Sequence, residues 1–298
     1  RLMKNFSKNK PFTISFFLLI ISLINSNSCF AQKNILKSYE DSLFTICNKL
    51  YNNSSYSEKL KLNKIFLKKL EPVLDNPKSI KYPFEKLNNI SILNSDDKKV
   101  RVINWIFKKD EEKFMYNAII QYYNFENKYN VAYLKNIYPK NDLDTLKLKN
   151  NNWLGALYYQ IERIKINNKT SYILLGWNGN DKKSNKKIIE VLNIDKNISF
   201  GLPIFKINNN LQNRFIIEYK ENANATIKFN TKEKRILFSN LIPINDSFKG
   251  YYDYYVPDGS LNAFNFIDEK FIFEENVKTI EKMNIPNKEN IKKGLFPK

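Results

Sequence analysis

The sequence predicts a mainly β protein, in which an antiparallel meander of about a dozen strands follows a short helical segment. Near Ile90 the spacing of apolar residues changes from the helical pattern of three and four to strict alternation. Beyond that point, turn-forming residues recur at short intervals. The meander could close as a propeller, a barrel or a two-sheet sandwich. These three arrangements stay open, since no repeat of propeller-blade length is present.

The first residues, 1–31, are predicted to be a secretory signal peptide. Three lysines precede the thirteen-residue apolar run Phe12–Ile24, and small residues at Cys29 and Ala31 mark a cleavage site. The run is shorter than the roughly 20 residues of a membrane-spanning helix, so no transmembrane span is expected after cleavage. We therefore expect export to the periplasm or the extracellular space. Lipid anchoring through Cys29 is disfavoured, because Ser26 stands where a leucine-like residue is usual.

Residues 32–80 form the predicted helical segment. Apolar residues at helical spacing predict one helix over 34–51 and a second over about 57–70, which Pro72 should end. Cys47 lies on the apolar face of the first helix, and burial in the core is its expected role.

Residues 81–283 form the predicted β-rich domain, and 284–298 a polar C-terminal tail. Turns are expected at Asp96-Asp97, Asn167-Asn168 and Asp268-Glu269, among others. Strands are predicted at 99–108, 113–124, 129–137, 154–166, 170–177, 186–194, 198–206, 214–219, 226–229, 235–239, 251–256, 261–267 and 271–274.

The composition excludes several kinds of chemistry. The chain has no histidine and two cysteines, which excludes histidine-based triads, histidine zinc sites and four-cysteine metal frameworks. No glycine-rich phosphate loop is present, so no cofactor is predicted. Only five of the 49 basic residues are arginine and the lysines are dispersed, so the charge of +19 does not indicate a specific nucleic-acid partner. A general polyanion binder, which rests on charge alone, stays a third hypothesis.

One candidate site is the segment that follows the predicted strand over 170–177. Trp177, Asn178, Asn180 and Asp181 surround Gly179 and combine an indole with several oxygen ligands. Such oxygens are what Ca²⁺ prefers, but the carboxylates of a calcium loop are too few here. Because Asn-Gly is a common hairpin turn, the pattern favours a turn over a metal site, and no metal is predicted.

The second candidate is the tyrosine-rich segment 251–260. Tyr252, Tyr254 and Asp258 could form a platform on which sugar rings stack, together with Trp105, Trp153 and Trp177. The alternative, which the pattern favours, is a strand with alternate tyrosines in the core, ending in a Pro-Asp-Gly turn at Asp258. Asp181, Asp253 and Asp258 are also the candidate carboxylates for a glycosidase, which needs two of them about 5 to 9.5 Å apart.

Several motifs resemble a family of uncharacterised secreted proteins from Bacteroidetes. The resemblance covers most of residues 80–298 and implies export and a β-rich fold, but no activity or catalytic residue. The motifs that carry it are Tyr82-Pro83-Phe84, Ser95–Val102, Trp153–Tyr159, Gly176–Asp181, Pro257-Asp258-Gly259 with Ala263-Phe264, and Gly294–Pro297.

Together these observations predict an exported binding or interaction module of the periplasm or cell surface. Its partner would be a glycan or a protein of the cell envelope. The alternative is a carboxylate-based enzyme that acts on polysaccharide or cell-wall material, for which no catalytic residue is assigned.

Overall fold

The computed structural model describes residues 35–110, 113–136 and 143–278. Within them, sixteen strands and two α-helices form a mainly β protein, as predicted. The predicted signal peptide and the predicted polar tail lie outside the described residues. No helix of the described chain is long and apolar enough to cross a membrane.

Two helices open the described chain, α1 over residues 35–52 and α2 over Tyr56–Leu74. The side chain of Ser55 caps α2 by accepting a hydrogen bond from the backbone N–H of Glu58. The prediction that Pro72 ends this helix is wrong, because α2 continues through it to Leu74. A proline near a helix end removes one backbone hydrogen bond, and burial of the last turn holds the helix together.

The strands form three sheets, in which all pairs are antiparallel except β10 with β16. Sheet 1 contains β1 (Ser91–Asn94), β2 (Val100–Lys108), β3 (Phe114–Tyr123) and β4 (Tyr129–Leu134). Sheet 2 contains β5 (Leu148–Lys149), β6 (Leu157–Ile166), β7 (Lys169–Asn178), β8 (Ser184–Ile194), β9 (Ile198–Phe200) and β12 (Arg214–Lys220). Sheet 3 contains β10 (Phe205–Ile207), β11 (Asn210–Gln212), β13 (Ile227–Asn230), β14 (Arg235–Pro243), β15 (Tyr255–Ile267) and β16 (Lys270–Glu274).

The helices, sheet 1, sheet 2 and sheet 3 stack in that order as four layers. Sheet 1 contacts the helices with one face and sheet 2 with the other, because successive side chains of a strand point to opposite faces. On β2, Ile103 and Trp105 pack against the helices, whereas Val102 packs against sheet 2. Sheet 2 likewise contacts a different neighbour with each face. On β7, Leu174 packs toward sheet 1 and Ile173 packs toward sheet 3. Each sheet of the described chain is open at its edges, so the structure shows a stacked, sandwich-like arrangement.

Three local predictions need correction. The predicted strand over 198–206 is two strands, β9 and β10, separated at Gly201, whose φ of +98° is unsuited to a strand. The predicted strand over 251–256 begins with a single 3₁₀ turn, Tyr252–Tyr254. The predicted Pro-Asp-Gly turn is a bulge inside the long strand β15. There residues 258–260 lie opposite the single residue Asn240 of β14, so the register shifts. Strands β1, β5 and β11 were not predicted; each is at most four residues long.

Candidate functional site

The segment Trp177–Asp181 contains the end of β7 and the first residues of its connection to β8. The buried side chain of Asn178 donates from Nδ2 to the carbonyl oxygen of Gly155 at 2.6 Å. The backbone N–H of Gly179 donates to the hydroxyl of Tyr116 in sheet 1 at 2.8 Å. A Cβ at Gly179 would lie 2.5 Å from the Trp177 ring, so only glycine fits there. These contacts join the end of β7 to sheet 1.

Trp177 is half-buried and packs edge-on against Phe114, with ring centroids 5.4 Å apart. The carboxylate of Asp181 accepts from the backbone N–H groups of the next turn residues, at 2.8 Å and 3.0 Å. Asn180 donates to the hydroxyl of Ser184 at 2.8 Å and to Glu218 at 3.2 Å. Among the described residues no group of three or more Cys, Asp or Glu side chains is placed to hold a metal ion. The geometry of this segment is that of a hairpin turn stabilised by its own polar side chains.

The second candidate segment lies on a ribbon that extends beyond sheet 3, which we call the aromatic hairpin (residues 240–258). The pairing of β13 with β14 stops at Phe238, which lies opposite Ile227, the first residue of β13. Beyond Ser239, β15 is therefore the only strand of the described chain that pairs with β14. On the other side, β16 reaches β15 only from Ala263 onward. The hairpin is therefore two strands wide, and the turn Tyr252–Tyr254 supports it by packing against β8 and β12.

Four large side chains of the aromatic hairpin are exposed to solvent. Tyr251 and Tyr252 are 63% and 55% exposed, and Ile242 and Ile244 are 43% and 47% exposed. Tyr254 is half-buried beneath them, where its ring stacks on Phe248 at 4.1 Å. The interpretation of Tyr252 and Tyr254 as alternating strand residues is therefore wrong, since the 3₁₀ turn brings consecutive tyrosines to the surface.

A fixed row of polar side chains lies at the base of this hairpin. Asn240 donates to the carboxylate of Asp258 at 2.9 Å, and Asn262 donates to Asn240 at 3.0 Å. Asp258 also accepts from the hydroxyl and the backbone N–H of Ser260, at 2.7 Å and 2.8 Å. Hydrogen bonds from Ser260, and then from Asn240, lower the pKa of Asp258, so it is a stable anionic acceptor.

The predicted site residues thus divide into two groups on different hairpins. Tyr252, Tyr254 and Asp258 share the aromatic hairpin, whereas Trp177 and its neighbours form the β7–β8 turn. The carboxylates of Asp181, in its turn, and Asp258, in its bulge, are each engaged in local hydrogen bonds. The inclusion of Trp105 and Trp153 in a sugar platform is wrong, because both side chains are buried in the core.

The structure also contains a cleft that no sequence motif indicated, which we call the hairpin-end cleft. It has a volume of about 670 Å³ and lies where the β1–β2, β3–β4, β6–β7 and β8–β9 connections meet. Asp96-Asp97 and Asn167-Asn168 were predicted as turns, but only the fold shows that they adjoin each other. The residues that line the cleft are Asp97, Lys99, Tyr123, Asn124, Phe125, Arg163, Lys165, Asn168, Lys169, Thr170, Tyr172, Ile194 and Asp195.

Hydrogen bonds hold the walls of this cleft in place. The hydroxyl of Tyr172 donates to Asp97 at 2.9 Å, which ties β7 to the β1–β2 turn. Arg163 donates to Asp96 at 2.9 Å, and Lys169 lies 3.4 Å from Asp195. Burial, followed by the charge of Asp97, raises the pKa of Tyr172, so its hydroxyl remains a donor at neutral pH.

Comparisons of the chain with protein-family profiles, curated proteins and solved structures find no match.

Proposed function

We propose that this protein is an exported binding module that recognises a neutral or amine-bearing glycan of the cell envelope through the aromatic hairpin. The observation that carries the proposal is the exposure of Tyr251 and Tyr252, each more than half accessible, on a ribbon that extends from the sheet. Exposed rings that are clustered with exposed isoleucines mark contact surfaces, because a packed domain normally buries such groups.

The side chains of the aromatic hairpin, taken together, match the chemistry of a sugar. A pyranose ring has an apolar face of C–H groups, which packs on an aromatic ring, and an edge of hydroxyls, which need donors and acceptors. Asn240 and Asp258 supply both kinds of group, and their mutual hydrogen bond holds them in place before a ligand arrives. Preorganised polar groups lower the entropic cost of binding.

The charge of the hairpin narrows the class of glycan. Residues 240–258 contain three aspartates and one lysine, a net charge of −2 in a chain whose net charge is +19. An acidic polysaccharide would be repelled at this surface, whereas a neutral or amine-bearing polymer would not.

Backbone features of the hairpin favour recognition by side chains over the addition of a partner strand. Pro243 and Pro257 lie in its two strands, and neither has an N–H to offer to an incoming strand. Prolines at exposed edges are a common protection against edge-to-edge pairing. The exposed rings, rather than the strand edges, are therefore the contact surface.

The test is affinity electrophoresis of residues 32–298 in gels that contain laminarin, chitosan or alginate. We expect retardation by laminarin or chitosan but not by alginate. The double variant Tyr251→Ala/Tyr252→Ala should weaken that binding at least tenfold, since exposed aromatic anchors dominate such contacts. The control is Tyr133→Ala, which removes a tyrosine that is 39% exposed on sheet 1 and should leave retardation unchanged.

Two results would contradict this proposal. One is equal retardation of the wild type and the double variant. The other is the absence of retardation by any neutral or amine-bearing glycan, which would favour a protein partner for the same surface.

A further inference from the structure

The hairpin-end cleft has the size of a small-ligand site. Its volume of about 670 Å³ lies within the range of about 300–1,000 Å³ that is typical of ligand pockets. Its walls come from four chain connections of two different sheets, and the hydrogen bond between Tyr172 and Asp97 joins those sheets across it. The aromatic hairpin belongs to sheet 3 and supplies no residue to its lining.

The cations of this cleft exceed the carboxylates that could neutralise them. Four cationic side chains line it, against the carboxylates of Asp97 and Asp195 inside and Asp96 at the rim. Asp96 pairs with Arg163, and Asp195 pairs with Lys169. Asp97 accepts hydrogen bonds from the hydroxyls of Ser95 and Tyr172 and from a backbone N–H, so both of its oxygens are engaged.

Two lysines are left without a carboxylate partner. Lys99 donates to the neutral amide oxygen of Asn127 at 3.2 Å, and within the described chain Lys165 makes no ion pair. An unpaired ammonium group in a concave site attracts an anion more strongly than one on a convex surface, because the cleft walls displace water.

Aromatic rings lie beside these lysines. Phe125, in the β3–β4 turn, is 66% exposed, the highest exposure among the large hydrophobic residues of the described chain. Tyr123 and Tyr172 line the same cleft, and the Tyr172 hydroxyl is already oriented by Asp97. An exposed phenyl ring beside ammonium groups that have no carboxylate partner matches a ligand that has both a ring with an apolar face and an anionic substituent.

We propose that the hairpin-end cleft binds an acidic monosaccharide unit, whose carboxylate lies between Lys99 and Lys165 and whose ring packs against Phe125. The site is independent of the aromatic hairpin and selects the opposite charge. A bare anion would lack the contact with Phe125, and a neutral sugar would lack the contact with the lysines.

The experiment is a ligand-observed NMR titration of residues 32–298 with glucuronate, glucose and acetate. We expect glucuronate to bind at least fivefold more tightly than glucose or acetate, and its affinity to fall as ionic strength rises. Lys165→Gln and Phe125→Ala should each weaken glucuronate binding about fivefold to tenfold. The matched controls are Lys228→Gln on β13 and Phe44→Ala on α1, both exposed residues outside the cleft, which should bind as the wild type does.

Equal affinity for glucose and glucuronate would overturn the proposal, and so would equal loss in Lys165→Gln and Lys228→Gln. Equal affinity for acetate and glucuronate would show a simple anion site and contradict the role of Phe125. The variant Tyr251→Ala/Tyr252→Ala should keep full glucuronate binding, so that a failure of the aromatic-hairpin proposal is distinguishable from a failure of this one.

Discussion

Both faces of sheet 2 pack on apolar residues of the neighbouring sheets, but they differ in the other side chains that they bury. Neighbouring residues of β8 show the contrast, because Glu190 points toward sheet 1 and Ile189 toward sheet 3. The face toward sheet 1 contains a buried network of charged and polar groups, whereas the face toward sheet 3 is packed with phenylalanines. The hairpin-end cleft adjoins the first interface and the aromatic hairpin extends from the second.

The polar network is fully buried. Arg214 donates from Nε to Glu190 at 2.8 Å, and the other oxygen of Glu190 accepts from the hydroxyl of Tyr158 at 2.6 Å. Trp153 donates to the same hydroxyl at 2.9 Å, and the remaining guanidinium donors of Arg214 reach backbone carbonyls such as that of Leu146. Burial, and then the charge of Glu190, raise the pKa of Tyr158 well above its usual value.

The opposite face depends on area and ring geometry. Phe264 lies at its centre, with ring centroids 5.3 Å from Phe238, 5.5 Å from Phe205 and 4.9 Å from Phe215. When a side chain of such a cluster is truncated, the loss of stability depends on the buried volume that is removed. When one partner of a buried ion pair is removed, the other is left as an uncompensated charge. The polar face is therefore sensitive to the loss of a charge partner, whereas the aromatic face contributes mainly burial.

The largest effect is expected from Glu190→Ala. This change leaves the fully buried guanidinium of Arg214 without its carboxylate, and we expect a loss of about 5 kcal/mol in the free energy of unfolding, the upper end for a broken buried pair. Urea unfolding followed by circular dichroism measures it. Replacing both partners, as Glu190→Leu with Arg214→Met, should recover most of that loss. If the double variant is no more stable than the single one, the buried charge is not the cause.

A smaller loss is expected from Phe264→Ala on the other face. The cavity that it leaves is lined by four other rings that can relax into part of the space, so we expect a loss of about 3 kcal/mol in the free energy of unfolding. The same unfolding measurement applies, and Phe264→Leu should lose clearly less. A loss that matches that of Glu190→Ala would remove the distinction between the two faces.

Lys187 lies at the edge of the aromatic face, with its ammonium group 4.7 Å from the ring centre of Tyr159. Burial lowers the pKa of Lys187 from 10.5 to about 8. Between these two pH values the unfolded chain binds more protons at this residue than the folded chain does. The free energy of unfolding should therefore rise with pH across this window, and the cost of charging Lys187 is fully present below it.

We expect the wild type to gain on the order of 1–2 kcal/mol relative to Lys187→Met between pH 7.5 and pH 9.5. Urea unfolding of both proteins at the two pH values measures this difference, and the comparison cancels the titration of the tyrosines. A difference that is constant with pH would show that Lys187 is charged and solvated in the folded protein.

The sequence predicted the positions of the strands better than the contacts between segments that are far apart in the chain. Strands β7 and β8 were predicted to within two residues at each end, since their apolar runs are bounded by turn-forming residues. The hairpin-end cleft was missed because its walls come from turns far apart in the chain. The exposure of Tyr252 was missed because its neighbours have the composition of a strand, and the 3₁₀ turn becomes evident only in the fold. Likewise, neither Glu190 nor Arg214 signals in sequence that it pairs with the other.

The smallest effect is expected from two methyl deletions at neighbouring residues of β8, one on each face of sheet 2. Ile188→Val removes a methyl group from the polar face of β8 and Ile189→Val removes one from the aromatic face, and both residues are at most 1% exposed. Each change should cost about 1 kcal/mol, because deletion of one buried methyl leaves a small cavity. We expect Ile188→Val to cost more, since the hydrogen bonds of Tyr158 and Glu190 restrict relaxation on that side, whereas phenylalanine rings can shift. Thermal unfolding of the two variants side by side measures the difference. A larger loss in Ile189→Val would mean that the aromatic face is the more rigid one and that the aromatic hairpin extends from the stiffer side of the sheet.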